Sequence, residues 1–337
     1  MNRIRVGTLA ITLGLGIAPA MAAGWNPKQA AAFLDERQKQ WFAWPVAART
    51  GGPCLSCHTG LPYLIARPAL RRVLGETAPT QWETGYLDAL RARSGSTDAK
   101  AMLGFAKEPV ATQSMGVESI FAALFLRDNA AARDRFWNLQ LRDGKERGAW
   151  NWFQVQLEPW EETGAPFFGA ALAAMALDNA PPADREQVAA LTAYLKGMAG
   201  EQPLQNRLEL LWTARKLPGV TKREWIDEAF AKQSADGGWT NEALGPWKEH
   251  KTAVPSPGSN GYATAFATFA LLEGGVKASD PRMVRALDWL RGHQTEGGYW
   301  DAVSMNKVYD AGSMQEQFMR DAATGFAAAA LIKAEQH

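Results

Sequence analysis

The sequence predicts an all-α protein, and three observations carry that prediction. Apolar residues recur at three- and four-residue spacing over most of the chain, while strand signals are scarce. A glycine-aromatic turn returns at Gly148-Ala149-Trp150, Gly237-Gly238-Trp239 and Gly297-Gly298-Tyr299. Each turn is followed by a helix of small residues, over Phe167 to Leu177, Tyr262 to Leu272 and Ala322 to Ile332. Helices that are apolar nearly all round pack on several sides and belong to the interior. The helices before the turns, Arg133 to Arg142, Lys222 to Gln233 and Pro281 to Gln294, carry charged faces and belong outside.

Pairing outer with inner helices gives six hairpins, starting near Pro27, Asp98, Arg133, Ala183, Thr221 and Asp280. The first runs from an outer helix over Lys28 to Phe42, through Gly51-Gly52-Pro53, to an inner helix over Leu64 to Leu74. The fourth, Glu186 to Lys196 and then Leu204 to Leu217, lacks the glycine turn. Six such hairpins can close into an (α/α)6 toroid, the inner helices forming a barrel and the outer ones a sheath. Repetition alone leaves an open solenoid or an irregular bundle as alternatives. The fourteen tryptophans fit either repeated packing positions or an aromatic-lined cavity.

Residues 1–22 have a short basic start (Arg3, Arg5), an apolar run from Val6 to Pro19 and the small-residue site Ala20-Met21-Ala22, the pattern of a secretory signal peptide. No segment is apolar for the roughly twenty residues of a membrane span. The expected mature chain, residues 23–337, is one soluble domain that does not cross a membrane. Without the leader the 36 basic side chains fall by two, to 34 against 35 acidic ones, and this near-neutral balance gives no basis for nucleic-acid binding.

The chemistry concentrates in Cys54-Leu55-Ser56-Cys57-His58. A C-x-x-C-H run sets two thiols on one turn, where they can add to the vinyl groups of haem, and offers the next imidazole to the iron. These are the only cysteines, so a zinc or iron-sulfur site has no further sulfur to use. A disulfide, a thioredoxin-like redox pair and chance are the alternatives. Export favours haem, because disulfide-permissive compartments are where haem c is attached. The expectation is one covalent haem c in the periplasm, held by Cys54, Cys57 and His58.

The segments Gln233 to Trp239 (QSADGGW) and Gln294 to Trp300 (QTEGGYW) resemble the glutamine-tryptophan repeats of squalene-hopene cyclases and the related turns of protein prenyltransferase β subunits. Together with Cys54 to Arg72 (CLSCHTGLPYLIARPALRR) and Leu157 to Ala174 (LEPWEETGAPFFGAALAA), the chain looks like an exported bacterial group that combines their α/α toroid with a c-type haem. The resemblance implies the toroid over nearly all of the mature chain. It does not carry the activity. Where a class II terpene cyclase has a D-x-D-D acid cluster, the inner helices here begin Gly261-Tyr262-Ala263-Thr264 and Arg320-Asp321-Ala322-Ala323. A prenyltransferase needs zinc on Asp, Cys and His, and both cysteines are committed to haem.

In a toroid the outer-to-inner turns share a rim, which narrows the search for a second iron ligand to Met115, to Met305, Met314 and Met319, and to His250. Against these stand core packing for the methionines and a solvated loop for His250. Glu118, Glu158, Glu161 and Asp321 are the carboxylates able to serve an open iron face. Glu118 lies among apolar residues, so the other reading is a salt bridge joining two hairpins. Arg67, Arg71 and Arg72 are candidates for the haem propionates. The long segments Asn241 to Asn260 and Asp301 to Gln317 read as lids over a barrel mouth or as unstructured loops. Two functions follow: electron transfer with a periplasmic redox protein or dehydrogenase, or a haem-dependent oxidoreductase or sensor acting on a terpenoid- or lipid-like molecule in the barrel. A third reading is a binding or scaffold protein in which the haem is mainly structural.

Overall fold

The structure is a computed structural model, and it describes residues 24–96, 98, 104, 107–162, 164–179, 184–215 and 217–336. The signal segment and the hairpin start near Ala183 lie outside these residues. Thirteen α-helices are described: α1 (Pro27–Ala43), α2 (Gly60–Leu74), α3 (Gln81–Arg93), α4 (Val110–Phe125), α5 (Ala130–Asn138), α6 (Ala165–Met175), α7 (Arg185–Met198), α8 (Leu204–Thr213), α9 (Glu224–Ala231), α10 (Asn241–Leu244), α11 (Gly261–Glu273), α12 (Pro281–Gly292) and α13 (Phe318–Glu335). The one sheet among them is the two-residue pair Ala48–Arg49 with Gly52–Pro53, β1 and β2. No helix among the described residues is long and apolar enough to cross a membrane.

Small side chains decide which helices lie inside. All of α6 from Ala165 to Ala174 and all of α11 from Gly261 to Leu272 are buried, as is most of α13. The helices between them bury only a stripe, such as Ala30, Leu34, Gln38 and Trp41 on α1 and Met283, Ala286, Leu287 and Leu290 on α12. The buried helices pack in the order α4, α6, α8, α11, α13, α2. Leu64, Phe125, Met175, Trp212, Phe269 and Ile332, one from each of them and mostly near their C-terminal ends, line a common cavity of about 450 Å³.

The repeated turn joins neighbouring hairpins by a fixed set of bonds. Trp150, Trp239 and Trp300 donate their indole N–H to Phe136, Ala229 and Leu290, at 2.6, 2.7 and 2.7 Å. Those carbonyls lie in the last turns of α5, α9 and α12, where a helix has acceptors without intrahelical partners. Gln140, Gln233 and Gln294 each bridge two carbonyls with Nε2, one in their own turn and one at the start of the next outer helix: Gln187, Arg282 and Asn26. Gly148, Gly237 and Gly298 have φ of +96°, +96° and +85° and pass so close to Ala190, Arg285 and Gln29 that a Cβ would meet backbone oxygen within 2.5 Å.

The last turn therefore seats on α1, the first helix. Gly298→Ala is expected to cost about 2 kcal/mol or more through clash and strain. Chemical unfolding checks it, and an unchanged midpoint would mean that Gly298 does not rest on Gln29.

Two expectations need correction. The second outer helix is α3, well before Asp98; Thr80 and Glu83 form a reciprocal capping box that starts it, and Tyr86, Leu90 and Arg93 continue its buried stripe. Trp300, not Tyr299, is the counterpart of Trp239, because the left-handed glycine is Gly237 in one turn and Gly298 in the other. A spare glycine on opposite sides of that position shifts a simple alignment by one.

Candidate functional site

The cysteine motif lies between the β1–β2 hairpin and α2. Cys54 N–H donates to Ala47 O at 2.8 Å and the Trp41 indole donates to Cys54 O at 2.9 Å, fixing the entry to the motif. Ser56 Oγ then accepts from the N–H groups of Thr59 and Gly60, both at 3.2 Å, which closes the turn into α2. Gly51 and Gly52 press the hairpin onto α3, where any Cβ would strike Ala92 or Ala89. Arg93, fully buried, gathers the loop by donating to the carbonyls of Thr50, Gly52 and Pro53, and its Nε meets Glu118 at 2.7 Å.

Glu118 thus joins α4 to the cysteine loop through Arg93, the salt-bridge reading of its apolar setting. Arg67 is bound to Asp35 and Glu76, and Arg71 to Glu83. Arg72 lines the cavity at the C-terminal ends of the buried helices. None of these arginines is directed to the motif.

Cys54 is half-buried and Cys57 buried, and both are free thiols. Burial pushes Cys54 up to about 11, and burial together with Glu161 and Glu209 pushes Cys57 well above the usual thiol range. Protonated thiols suit neither the thiolate nucleophile of a redox pair nor a charged metal ligand.

His58 is held by rings. It stacks on Phe318 with centroids 3.6 Å apart and planes at 20°, with Trp41 and Trp160 at 5.5 and 5.8 Å. Burial, then the nearby Arg37, push its pKa down to about 3, so the ring is neutral. Its Nδ1 lies 2.9 Å from Thr59 Oγ1, whose hydroxyl reaches Asp321 Oδ2 at 2.7 Å. Arg37 grips the same carboxylate at 2.6 and 3.1 Å, and its Nη1 lies 3.5 Å from Met314 Sδ. Asp321 is therefore brought to the motif through Thr59, and Met314 to the Arg37 that holds it.

The remaining candidates fall into two places. Met115 is buried near the start of α4 and Met319 in α13, while Met305 packs at the edge of the core. Glu158, buried, holds His250 Nε2 directly, and Asn306 brackets Glu158 by accepting from its N–H and donating to its C=O. Val308 N–H donates to Thr252 O, so the two expected lid segments bind each other. Beyond the His250 contact they reach the 156–160 corner through Lys248 on Gln156. Glu161, in that corner, is raised by burial to about 7.

Several residues of the site were not singled out from the sequence. Thr59, Arg37 and Phe318 gain their roles only through packing. Glu209 had a legible signal, a carboxylate inside Leu208-Glu209-Leu210-Leu211-Trp212, the same kind that drew attention to Glu118. It is 0% exposed, and among the described residues both carboxylate oxygens lack a hydrogen-bond partner, as does Nε2 of Gln205 one turn earlier. Burial raises Glu209 well above the ordinary carboxylate range, and it in turn raises Cys57 and Tyr262. The Tyr262 hydroxyl donates to Gln205 Oε1 at 3.0 Å. No group of three or more His, Cys, Asp or Glu able to hold a bare metal ion occurs among the described residues.

Comparison with known proteins gives no family: no family model matches the chain, and no curated protein matches it at a significant level.

Proposed function

We propose that the chain is an exported mono-haem c-type cytochrome of the periplasm, passing electrons to or from a redox protein or dehydrogenase. The observation that carries this reading is the C-x-x-C-H turn, which sets the His58 ring, bonded through Nδ1 to Thr59, beside the only two cysteines of the sequence. A neutral imidazole with Nδ1 committed to Thr59 keeps the Nε2 lone pair for iron. Cys54 and Cys57 would hold the haem as thioethers, and the iron would supply one-electron chemistry. The surrounding Trp41, Trp160 and Phe318 match the apolar faces of a porphyrin. An (α/α)6 toroid is the architecture we infer around it. The seating of the Gly298 turn on Gln29 and the cavity shared by six helices support closure of the ring.

One observation favours a second reading, a haem-dependent oxidoreductase or sensor for an apolar molecule in the barrel. Among the described residues the Glu209 carboxylate and the Nε2 of Gln205 lack partners and form a polar spot in the interior, with Glu209 near enough to Cys57 to perturb its thiol. Neither reading is a class II terpene cyclase or a prenyltransferase, for want of the acid cluster and the zinc ligands.

The optical spectrum of the protein purified from the periplasm, after a haem-stained denaturing gel, tests both readings. A stained band with a low-spin reduced spectrum that carbon monoxide leaves unchanged is expected for electron transfer. Rapid carbon monoxide binding would overturn that role in favour of the second reading, and an unstained band would overturn both.

A further inference from the structure

We propose that Thr59 and Asp321 are positioning residues for the axial imidazole, a relay in which Asp321, fixed by Arg37, accepts the hydrogen bond of the Thr59 hydroxyl and leaves Thr59 as the acceptor for His58 Nδ1–H. The inference rests on the haem reading and goes beyond it by assigning what sets the basicity and the orientation of His58.

The argument is a count of protons. A hydroxyl has one proton to give. Asp321 receives Arg37 Nε on Oδ1, and both Arg37 Nη2 and Thr59 Oγ1 on Oδ2; these three donors, two of them on the charged Arg37, hold the carboxylate ionised against the burial that pushes its pKa up. The Thr59 proton is therefore spent on Asp321, and at 2.9 Å from His58 the same oxygen can only accept. Nδ1 then carries the imidazole proton, and Nε2 is the bare nitrogen. Phe318 fixes the ring plane by stacking on it.

Burial shows that the chain is not incidental. Thr59 and Asp321 are 0% exposed and Arg37 is 4% exposed, so water cannot substitute for any link. The links also span the molecule. Thr59 and Asp321 are 262 residues apart, and Arg37 and Asp321 are 284 apart, so the ligand is oriented by the docking of α13 on α1. An anion behind the imidazole increases the electron density it gives to iron, and ferric iron, with one more positive charge, gains more than ferrous iron. The relay lowers the reduction potential.

Thr59→Val cuts the relay and leaves the Arg37–Asp321 ion pair intact, so it separates positioning from bracing. In haem-loaded protein the ferrous form is expected to gain about tenfold, a positive shift of about 59 mV for a one-electron couple. Thr59→Ser should restore the wild-type potential, and Asp321→Asn should shift in the same direction as Thr59→Val. The ring N–H of His58, followed by NMR, should exchange with solvent faster in Thr59→Val. A Thr59→Val protein with normal haem content, normal unfolding and an unchanged potential overturns the proposal. If Thr59→Val does not load, an unshifted Asp321→Asn overturns it instead. Absence of haem stain from the wild-type protein is a different failure, that of the haem reading itself.

Discussion

The Cys57→Ala variant is expected to lose stable covalent haem while keeping most of its helix. Of the two cysteines Cys57 is the more buried, and it adjoins His58 directly. Without its thiol a haem bound as proposed would retain at most one covalent link, and the link lost would be the one beside His58. The helical scaffold does not depend on it. The helices that pack together most extensively, α11 with α13 and α13 with α2, include many small buried residues, among them Ala263, Ala267, Ala323 and Ala327. Haem stain per mole of protein should fall by roughly tenfold or more, while far-ultraviolet circular dichroism stays close to wild type. Covalent haem at normal yield would refute the assignment of the motif.

Arg93→Ala should be the most damaging single change to stability near the site. It strands Glu118, whose side chain is 4% exposed, as an unpaired charge, a loss on the order of 3–5 kcal/mol. It also strips donors from three carbonyls that precede Cys54. Arg135 Nη1 donates to the backbone Arg93 O at 2.5 Å, a bond that alanine at this position can keep. The expected result is a strongly lowered unfolding midpoint together with poor haem incorporation. Glu118→Gln, which keeps an acceptor opposite Arg93, should be milder. The double variant Arg93→Met/Glu118→Leu should recover part of the loss, because apolar replacement of both partners removes the stranded charge. An Arg93→Ala midpoint within about 1 kcal/mol of wild type would show that the loop does not hang on this residue.

How much of the site can be read in the sequence depends on how far apart its parts are. The pair Glu118 and Arg93 illustrates the limit. The apolar setting of Glu118 announces that it needs a partner, but nothing in the order of residues says that the partner is Arg93 rather than Arg67, which satisfies Asp35 and Glu76 instead. The capping box at Thr80 and Glu83 was equally local and legible, and it places α3 before Asp98. Gln140 has the same role as Gln233 and Gln294, but its turn is longer by several residues, which hides the repeat from alignment.

The sequence by itself determined what one or two turns of chain can encode. The helices follow from the spacing of apolar and small residues, the repeated turns from glycines that accept positive φ, and the cysteine motif from five consecutive side chains. These depend on steric and covalent facts that act between near neighbours. Only the tertiary structure decided that Asp321 stands behind Thr59, that Phe318 stacks on His58, and that Glu209 faces the interior without a partner among the described residues. Those contacts join residues from hairpins far apart in the chain. Their cause is the packing of many buried faces at once, and a side chain's own neighbours in sequence carry no record of which distant face it will meet.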